Sequence, residues 1–267
     1  MMQLLNALLL ILILIASSAV GLWVRPLLSE RHRNQETFDL VRMVTTMLVT
    51  FAALVLGLLT TSVKSSRDGV IADLRSYGVM IIELDQLLRE YGPETEPMRM
   101  ELRGYTAAAI ASTWPHETPP PGDYYRRDLP KTSGDGRIET PALGRMLADI
   151  SLSVLRLNPK DAMQRRLVDS YAGHIDRLIQ QRWKLIAESR SSISMPFYVV
   201  LVFWLAVVFA SFGLGAPRNQ LVWVMLGLGA VSIASAIFVI TVLDMPFGGL
   251  FPASSAPLRS ALAHLLQ

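Results

Sequence analysis

The sequence predicts an all-α integral membrane protein, with four transmembrane helices in a two-plus-two arrangement and a central helical cytoplasmic domain. Hydrophobic residues make up 51% of the 267 residues, and the mean hydropathy is +0.37. Charged residues make up only 18%, whereas about a quarter of a soluble domain is charged. The apolar surplus is concentrated in four segments, and a more polar region separates the second segment from the third.

The first pair of spans is predicted within residues 1–64. A helix needs about 20 apolar residues to cross about 30 Å of hydrocarbon, and residues 4–24 and 40–63 both meet that requirement. A cleaved signal peptide is the alternative for the first segment, because Ala16–Ala19 is compatible with cleavage. Two observations oppose it: no Lys or Arg precedes the segment, and its apolar run is longer than a usual signal core.

The second pair is predicted within residues 194–244, with spans at 196–214 and 221–243. Orientation follows from the Lys and Arg residues near the span ends. One side carries Arg25, Arg31, Arg33 and Arg218, with Arg42 at the boundary. The other side carries Lys64, Arg67, Arg75, Arg177, Arg182, Lys184, Arg190 and Arg259. The second side is richer, so we expect an inner-membrane protein whose central domain and both termini are cytoplasmic.

The central region, residues 65–193, is more polar, and its apolar residues outside one loop have helical periodicity. Apolar residues recur at steps of three and four along its first helix, which we expect to continue the second span. A second helix is predicted to start near Pro97, and residues 115–141 form a Pro/Gly-rich loop. Two further helices are predicted to open at Pro141 and at Asn158-Pro159, the second with Asp161 in its first turn.

Catalytic, cofactor and metal sites have no support in the sequence. It has no cysteine, which excludes disulfides and thiolate metal sites. No two of the four histidines have ligand spacing, and no phosphate-binding or nucleophile motif is present. A basic patch interleaved with aromatic residues, typical of nucleic-acid binding, is also missing. We therefore expect no enzyme activity, cofactor, metal or nucleic-acid partner.

The second span carries the most informative pattern. Small and hydroxyl side chains recur along one helical face between two cations: Arg42, Thr46, Thr50, Ala53, Gly57, Thr61 and Lys64. One interpretation is close helix packing, because small residues let backbones approach each other. The other is the wall of a pore in an oligomer, where this face meets water or a permeating ion. Arg42 itself either snorkels to the interface or faces an aqueous vestibule.

Residues 245–267 are predicted to form a turn and a short tail helix. The turn residues are Asp244, Pro246, Phe247 and Gly248, followed by Gly249. The turn is interpreted either as a tight helix exit or as a structured element that docks against the central domain. In the second pair of spans, Gly213, Gly215, Gly227 and Gly229 are predicted packing notches.

Three stretches resemble the bestrophin-like family of bacterial membrane proteins. They are residues 44–65, residues 105–115 with their Tyr-to-Trp-Pro pattern, and residues 243–249. The order of the spans agrees as well. Bestrophins are pentameric anion channels in which the second helix lines the pore and a Pro-Phe-Gly turn follows the fourth span. Pro246, Phe247 and Gly248 match that turn.

The resemblance implies a homo-oligomer in the lipid bilayer that passes small anions along the second span. This chain departs from the family of animal channels in two ways. Residues 250–257 contain no acidic residue, so calcium gating is not expected, and Phe51 is the only aromatic residue inside the second span. The alternative function is a non-conducting scaffold or sensor that presents the helical domain to a cytoplasmic partner. A membrane enzyme is a third, weaker interpretation.

Overall fold

The structure is a computed structural model, and it describes residues 2–27, 35–122, 141–189, 195–217, 219–248 and 250–267. Some residues used for the predictions lie outside these ranges: Arg31, Arg33, Arg190, Arg218, Gly249 and most of the loop 115–141. Every regular element in the described part of the chain is a helix. The prediction of an all-helical chain is confirmed.

Eight α-helices follow one another in the described part of the chain. They are α1 (Met2–Val24), α2 (Gln35–Tyr91), α3 (Glu96–Thr113), α4 (Pro141–Leu155), α5 (Ala162–Glu188), α6 (Met195–Gly215), α7 (Gln220–Leu243) and α8 (Ala256–Leu265). Four of them, α1, α2, α6 and α7, are long and apolar enough to cross a membrane. They contain the four apolar segments picked out in the sequence. Helix α2 has 57 residues and continues well past the second apolar segment, as expected.

The chain divides into two compact units. The first unit consists of residues 1–65 and 191–244, and the second of residues 66–190 and 245–267. In the first unit, α1 packs against α6 and α7. Leu10 and Leu14 of α1 share a buried apolar cluster with Leu205 of α6 and Ala234 of α7.

Helices α1 and α6 cross so closely that their backbones meet. A Cβ atom built on Gly213 would lie 2.0 Å from the carbonyl oxygen of Ser18, and one on Gly21 would lie 2.0 Å from that of Ala210. No side chain fits at such distances, so both positions require glycine. Gly213 is therefore a packing notch as predicted, whereas Gly21 was not singled out in the sequence.

The other predicted notches behave differently. A Cβ atom on Gly229 would be 3.8 Å from the ring of Phe209, an ordinary contact, and Gly215 and Gly227 would meet nothing within 4 Å. Small residues at these two positions are therefore not explained by packing within the described chain.

The second unit has its own apolar core. Six residues of α2 at steps of three and four are almost fully buried there: Val70, Leu74, Tyr77, Ile81, Leu84 and Leu88. Helix α3 packs on α4 and α8, and α4 packs on α5. The tail helix α8 contributes Leu258, Leu262 and Leu265 to the same core.

Helix α5 begins later than the sequence suggested. Asp161 is the N-cap residue in an extended conformation, and its carboxylate accepts a 2.7 Å hydrogen bond from the Gln164 backbone N–H. A capping aspartate satisfies a free N–H of the first turn, so the helix starts at Ala162 rather than at Pro159.

Candidate functional site

The seven residues of the second-span pattern lie on one face of α2, which we call the threonine face: Arg42, Thr46, Thr50, Ala53, Gly57, Thr61 and Lys64. All seven are exposed in the described chain. A Cβ atom on Gly57 would meet nothing within 4 Å. Among the described residues, no neighbouring helix therefore covers this face.

The hydroxyl groups of the threonine face are hydrogen-bonded within their own helix. Thr46 donates to the carbonyl oxygen of Arg42 at 2.9 Å, Thr50 to that of Thr46 at 2.9 Å, and Thr61 to that of Gly57 at 3.0 Å. This is the usual i−4 bond of a helical threonine. Because each proton is donated inward, each hydroxyl oxygen keeps its lone pairs for an outside donor such as water.

Helix α2 is the least covered of the four apolar helices. Only 11% of its most apolar 18-residue window is buried inside the structure, against 28% for each of the other three. Its contribution to the apolar cluster of the first unit comes from residues outside the threonine face: Ala52, Val55, Leu56 and Leu59. The exposed sector of α2 is thus available to lipid or to another copy of the chain.

A cavity of about 500 Å³ lies between the start of α2 and the end of α6. Its polar lining includes Asp39, Arg42, Thr46 and Ser211, and its apolar lining includes Phe212. Arg42 and Thr46 were predicted from the sequence, whereas Asp39, Ser211 and Phe212 were not. Asp39 could have been found, because it lies seven residues before Thr46 and so falls on the same helical face.

The turn after α7 is docked in the second unit. Phe247 is 5% exposed, and its ring meets Trp114 edge-on at 6.0 Å between centroids. The Trp114 indole Nε1 donates to the Ala253 carbonyl oxygen at 2.6 Å, and the Ala253 N–H donates to the Pro246 carbonyl oxygen at 2.6 Å. The turn is therefore more than a helix exit, since it anchors the chain before α8.

Asp244 and Gly248 complete the predicted turn. Asp244 is the C-cap residue of α7, and its backbone N–H donates to the Ile240 carbonyl oxygen at 3.0 Å. Its side chain is buried, and Gly248 lies in a bend. Gly249 lies outside the described residues.

A carboxylate pair joins α2 to α5 in the second unit. Asp73 accepts hydrogen bonds from Gln181 Nε2 at 3.0 Å and Lys184 Nζ at 2.9 Å. Burial acts to raise the pKa of Asp73, but these donors outweigh it, so the pKa of Asp73 lies below its usual value. Burial, together with a hydrogen bond to Asp73 and its negative charge, raises the pKa of the Glu188 carboxyl.

No metal site emerges from the described ranges. In those ranges, no group of three or more His, Asp or Glu side chains is arranged to hold a metal ion.

Comparison with known proteins identifies the family. The Bestrophin-like domain matches residues 12–258. Among solved structures, a mutant of a bacterial bestrophin homologue from Klebsiella pneumoniae superposes with a TM-score of 0.63 at 14% identity, covering 100% of both chains. A second mutant of that homologue gives 0.62 at 12% identity over 98% of both chains. A third gives 0.62 at 16% identity, covering 98% of this chain and 97% of that one.

At such identities the likeness establishes the fold alone. No curated protein matches the sequence. The family match covers most of the chain, and the four apolar helices agree with a membrane location. The chain is therefore a membrane protein that belongs to the Bestrophin-like family.

Proposed function

We propose that this protein assembles as a homo-oligomer in the inner membrane and passes small anions along a path lined by the threonine face of α2. The observation that carries the proposal is that this face, small and weakly polar, is left uncovered by the described residues of its own chain. Exposing hydroxyl groups and a glycine to hydrocarbon gains nothing. Several copies of α2 around an axis would instead direct them toward water.

The charge distribution supports anions as the permeating species. Arg42 and Lys64 lie at the two ends of the threonine face, and both are exposed. Between them the face carries no charge, so a passing anion meets no fixed partner that would hold it. Cations at a pore mouth raise the local concentration of anions and so favour entry. At the Arg42 end, Asp39 lines the same cavity and offsets part of that effect.

The proposal also assigns an orientation in the membrane to the rest of the chain. The central domain, residues 65–193, and both termini are cytoplasmic in this proposal, because the Lys and Arg residues near the span ends are more numerous on that side. The first pair of spans falls in residues 1–64 and the second in residues 194–244. The docked turn at Pro246–Gly248 anchors the tail, residues 245–267, at the inner end.

Flux through liposomes tests the proposal. Purified protein should conduct chloride, and Thr50→Trp should reduce the chloride flux at least about tenfold by filling the path. The matched control is Leu58→Trp, on the same helix but about 80° around it from Thr50. Leu58 is an exposed apolar residue, so its replacement should leave the flux near that of the parent protein.

Three measurements can contradict the proposal: the mass of the solubilised protein, its conductance and its reversal potential. A detergent-solubilised protein whose mass is that of a single chain would overturn it, because one α2 cannot enclose a path. An oligomer that conducts nothing would favour the scaffold or sensor, which would then be sought through a cytoplasmic protein that binds the helical domain. A chloride gradient also gives a reversal potential, which must have the sign of an anion conductance.

A further inference from the structure

The cavity between α2 and α6 carries a cation and an anion that have no partner among the described residues. Asp39 and Arg42 are three residues apart on α2, which places them side by side on the helix surface, and both line the cavity. Neither side chain has a hydrogen-bond or ion-pair partner within 4.0 Å among the described residues. Two neighbouring opposite charges that do not pair with each other are both available to a ligand.

The neutral polar groups of the cavity can accept hydrogen bonds from a ligand but cannot donate them. The hydroxyls of Thr45, Thr46 and Ser211 donate their protons to the carbonyl oxygens of Val41, Arg42 and Val207 at 2.7, 2.9 and 2.9 Å. Their oxygens can therefore accept hydrogen bonds from a ligand, but they offer it no proton. Arg25, another cation of the first unit, already donates to the carbonyl oxygen of Ala216. The anionic part of a ligand would therefore depend on Arg42, while its N–H groups would meet Asp39 and the hydroxyl oxygens.

A ligand with one charge fits this arrangement poorly. A simple anion would lie beside the Asp39 carboxylate, and a simple cation would lie beside the Arg42 guanidinium. A zwitterion whose ammonium and acidic groups are a few bonds apart satisfies both, with charge-assisted hydrogen bonds at each end. The apolar part of the wall, Phe38, Val41 and Phe212, adds surface for a hydrocarbon portion.

We propose that this cavity binds a primary-ammonium zwitterion, an ammonium group joined to a phosphate or carboxylate, with Arg42 on the acidic group and Asp39 on the ammonium. This chemistry occurs in the headgroup of phosphatidylethanolamine and in free phosphoethanolamine. The location at the ends of two apolar helices brings the cavity to the level of lipid headgroups. The proposal concerns binding alone and does not require that the protein conducts.

The experiment measures lipid retention by native mass spectrometry of the purified protein at its own oligomeric state. The probes are phosphatidylethanolamine, phosphatidylglycerol, which lacks the ammonium, and phosphatidylcholine, whose quaternary ammonium has no N–H. The parent protein should prefer phosphatidylethanolamine by about tenfold over either one, the worth of one charge-assisted hydrogen bond.

Four variants make the test specific. Asp39→Asn should bring the retention of phosphatidylethanolamine and phosphatidylglycerol to the same level, and Arg42→Gln should weaken both. Combining the two changes should remove the preference. Glu36→Gln is the matched control, because Glu36 is an exposed carboxylate of the first turn of α2 that does not line the cavity. It should leave the preference unchanged.

Free phosphoethanolamine distinguishes the two sources. If free phosphoethanolamine displaces the lipid at a concentration similar to that of the lipid, the ligand is a soluble zwitterion. If it does not, the ligand is the lipid headgroup. Equal retention of the three lipids by the parent protein overturns the proposal. So does a phosphatidylethanolamine preference that survives in Asp39→Asn. If the parent protein prefers phosphatidylethanolamine but conducts no chloride, the result counts against the proposed conduction and not against the binding site.

Discussion

Along its first half, helix α2 leaves the threonine face exposed, whereas along its second half a stripe of residues from Val70 to Leu88 is buried in the core of the second unit. Both stripes repeat every three or four residues and belong to one continuous helix. The buried stripe is made of large apolar side chains that the chain covers itself. The exposed stripe is made of small and hydroxyl side chains between two cations, and no described residue of the chain covers it. The difference indicates that the second half of α2 finds its packing partners within one chain, whereas the first half leaves a face open to other molecules.

Two glycines test this distinction within the membrane. Gly213→Leu would place a side chain where the backbone of Ser18 already lies, at 2.0 Å. We expect it to destabilise the protein by about 3 kcal/mol or more, at the upper end of overpacking effects. Gly57→Leu is the matched variant on α2, where nothing lies within 4 Å. It should leave the thermal unfolding temperature of the solubilised protein almost unchanged.

The outcome for Gly57→Leu also separates the functional interpretations. If it retains its unfolding temperature but alters the oligomer or the chloride flux, the threonine face works between copies of the chain. A variant at Gly57 as damaging as Gly213→Leu in the isolated protomer would contradict the distinction between a covered and an uncovered face.

A pair of leucines compares the two halves of α2 directly. Leu84 is 0% exposed in the second unit, and Leu58 is 63% exposed in the first half of the helix. Leu84→Ala should cost about 3 kcal/mol of unfolding free energy, because it leaves a cavity in a packed core. Leu58→Ala should cost within about 0.5 kcal/mol, as is usual for exposed positions. Chemical or thermal unfolding in detergent measures both, and similar losses would show that the first half is packed after all.

The smallest expected effect concerns the carboxylate pair between α2 and α5. The raised pKa of Glu188 means that the folded protein favours its protonated form. Its stabilising contribution is therefore present below its usual pKa and is lost as the pH rises through the raised value. Glu188→Gln should increase stability at pH 8 by about 0.5 kcal/mol, a modest amount because the side chain is partly exposed to solvent. The gain should shrink at pH 5.

Asp73→Asn should change the stability in the opposite direction to Glu188→Gln. The pKa of Asp73 is lowered in the folded protein, so its carboxylate stabilises the fold at pH values above its usual pKa. This stabilisation is lost as the pH falls through the lowered pKa. This variant should therefore lose stability at neutral pH, where Lys184 loses its partner. Unfolding temperatures measured across this pH range would contradict the interpretation if both variants moved in the same direction.

Much of the helical content was predictable because apolar length and periodicity are local properties of the sequence. The four long apolar runs and the core stripe of α2 needed no knowledge of partners. The start of α5 was placed too early because Pro159 looked like a first helical residue, whereas the Asp161 side chain caps the helix. Here a hydrogen bond formed by the folded chain decided the boundary.

The site was less predictable, for a physical reason. The threonine face could be read from spacing along one helix. The cavity could not, because Ser211 and Phe212 lie far along the chain from Asp39 and Arg42 and meet them only after folding. The same holds for Trp114, whose indole reaches the carbonyl oxygen of Ala253 across 139 residues. Trp114 and the turn with Phe247 were each noted in the sequence, but their contact was not predicted.

The close crossing of α1 and α6 has a consequence for how the protein is made. Arg25 and Ala216, which meet beside this crossing, are 191 residues apart. At synthesis rates of about 5–20 residues per second, roughly 10–40 s separate the emergence of the two partners. During that interval the glycine-notched surface of α1 is in the bilayer without the helix that it fits. Biogenesis therefore has a waiting stage, in which the early spans depend on lipid, on each other or on an insertion factor until α6 arrives.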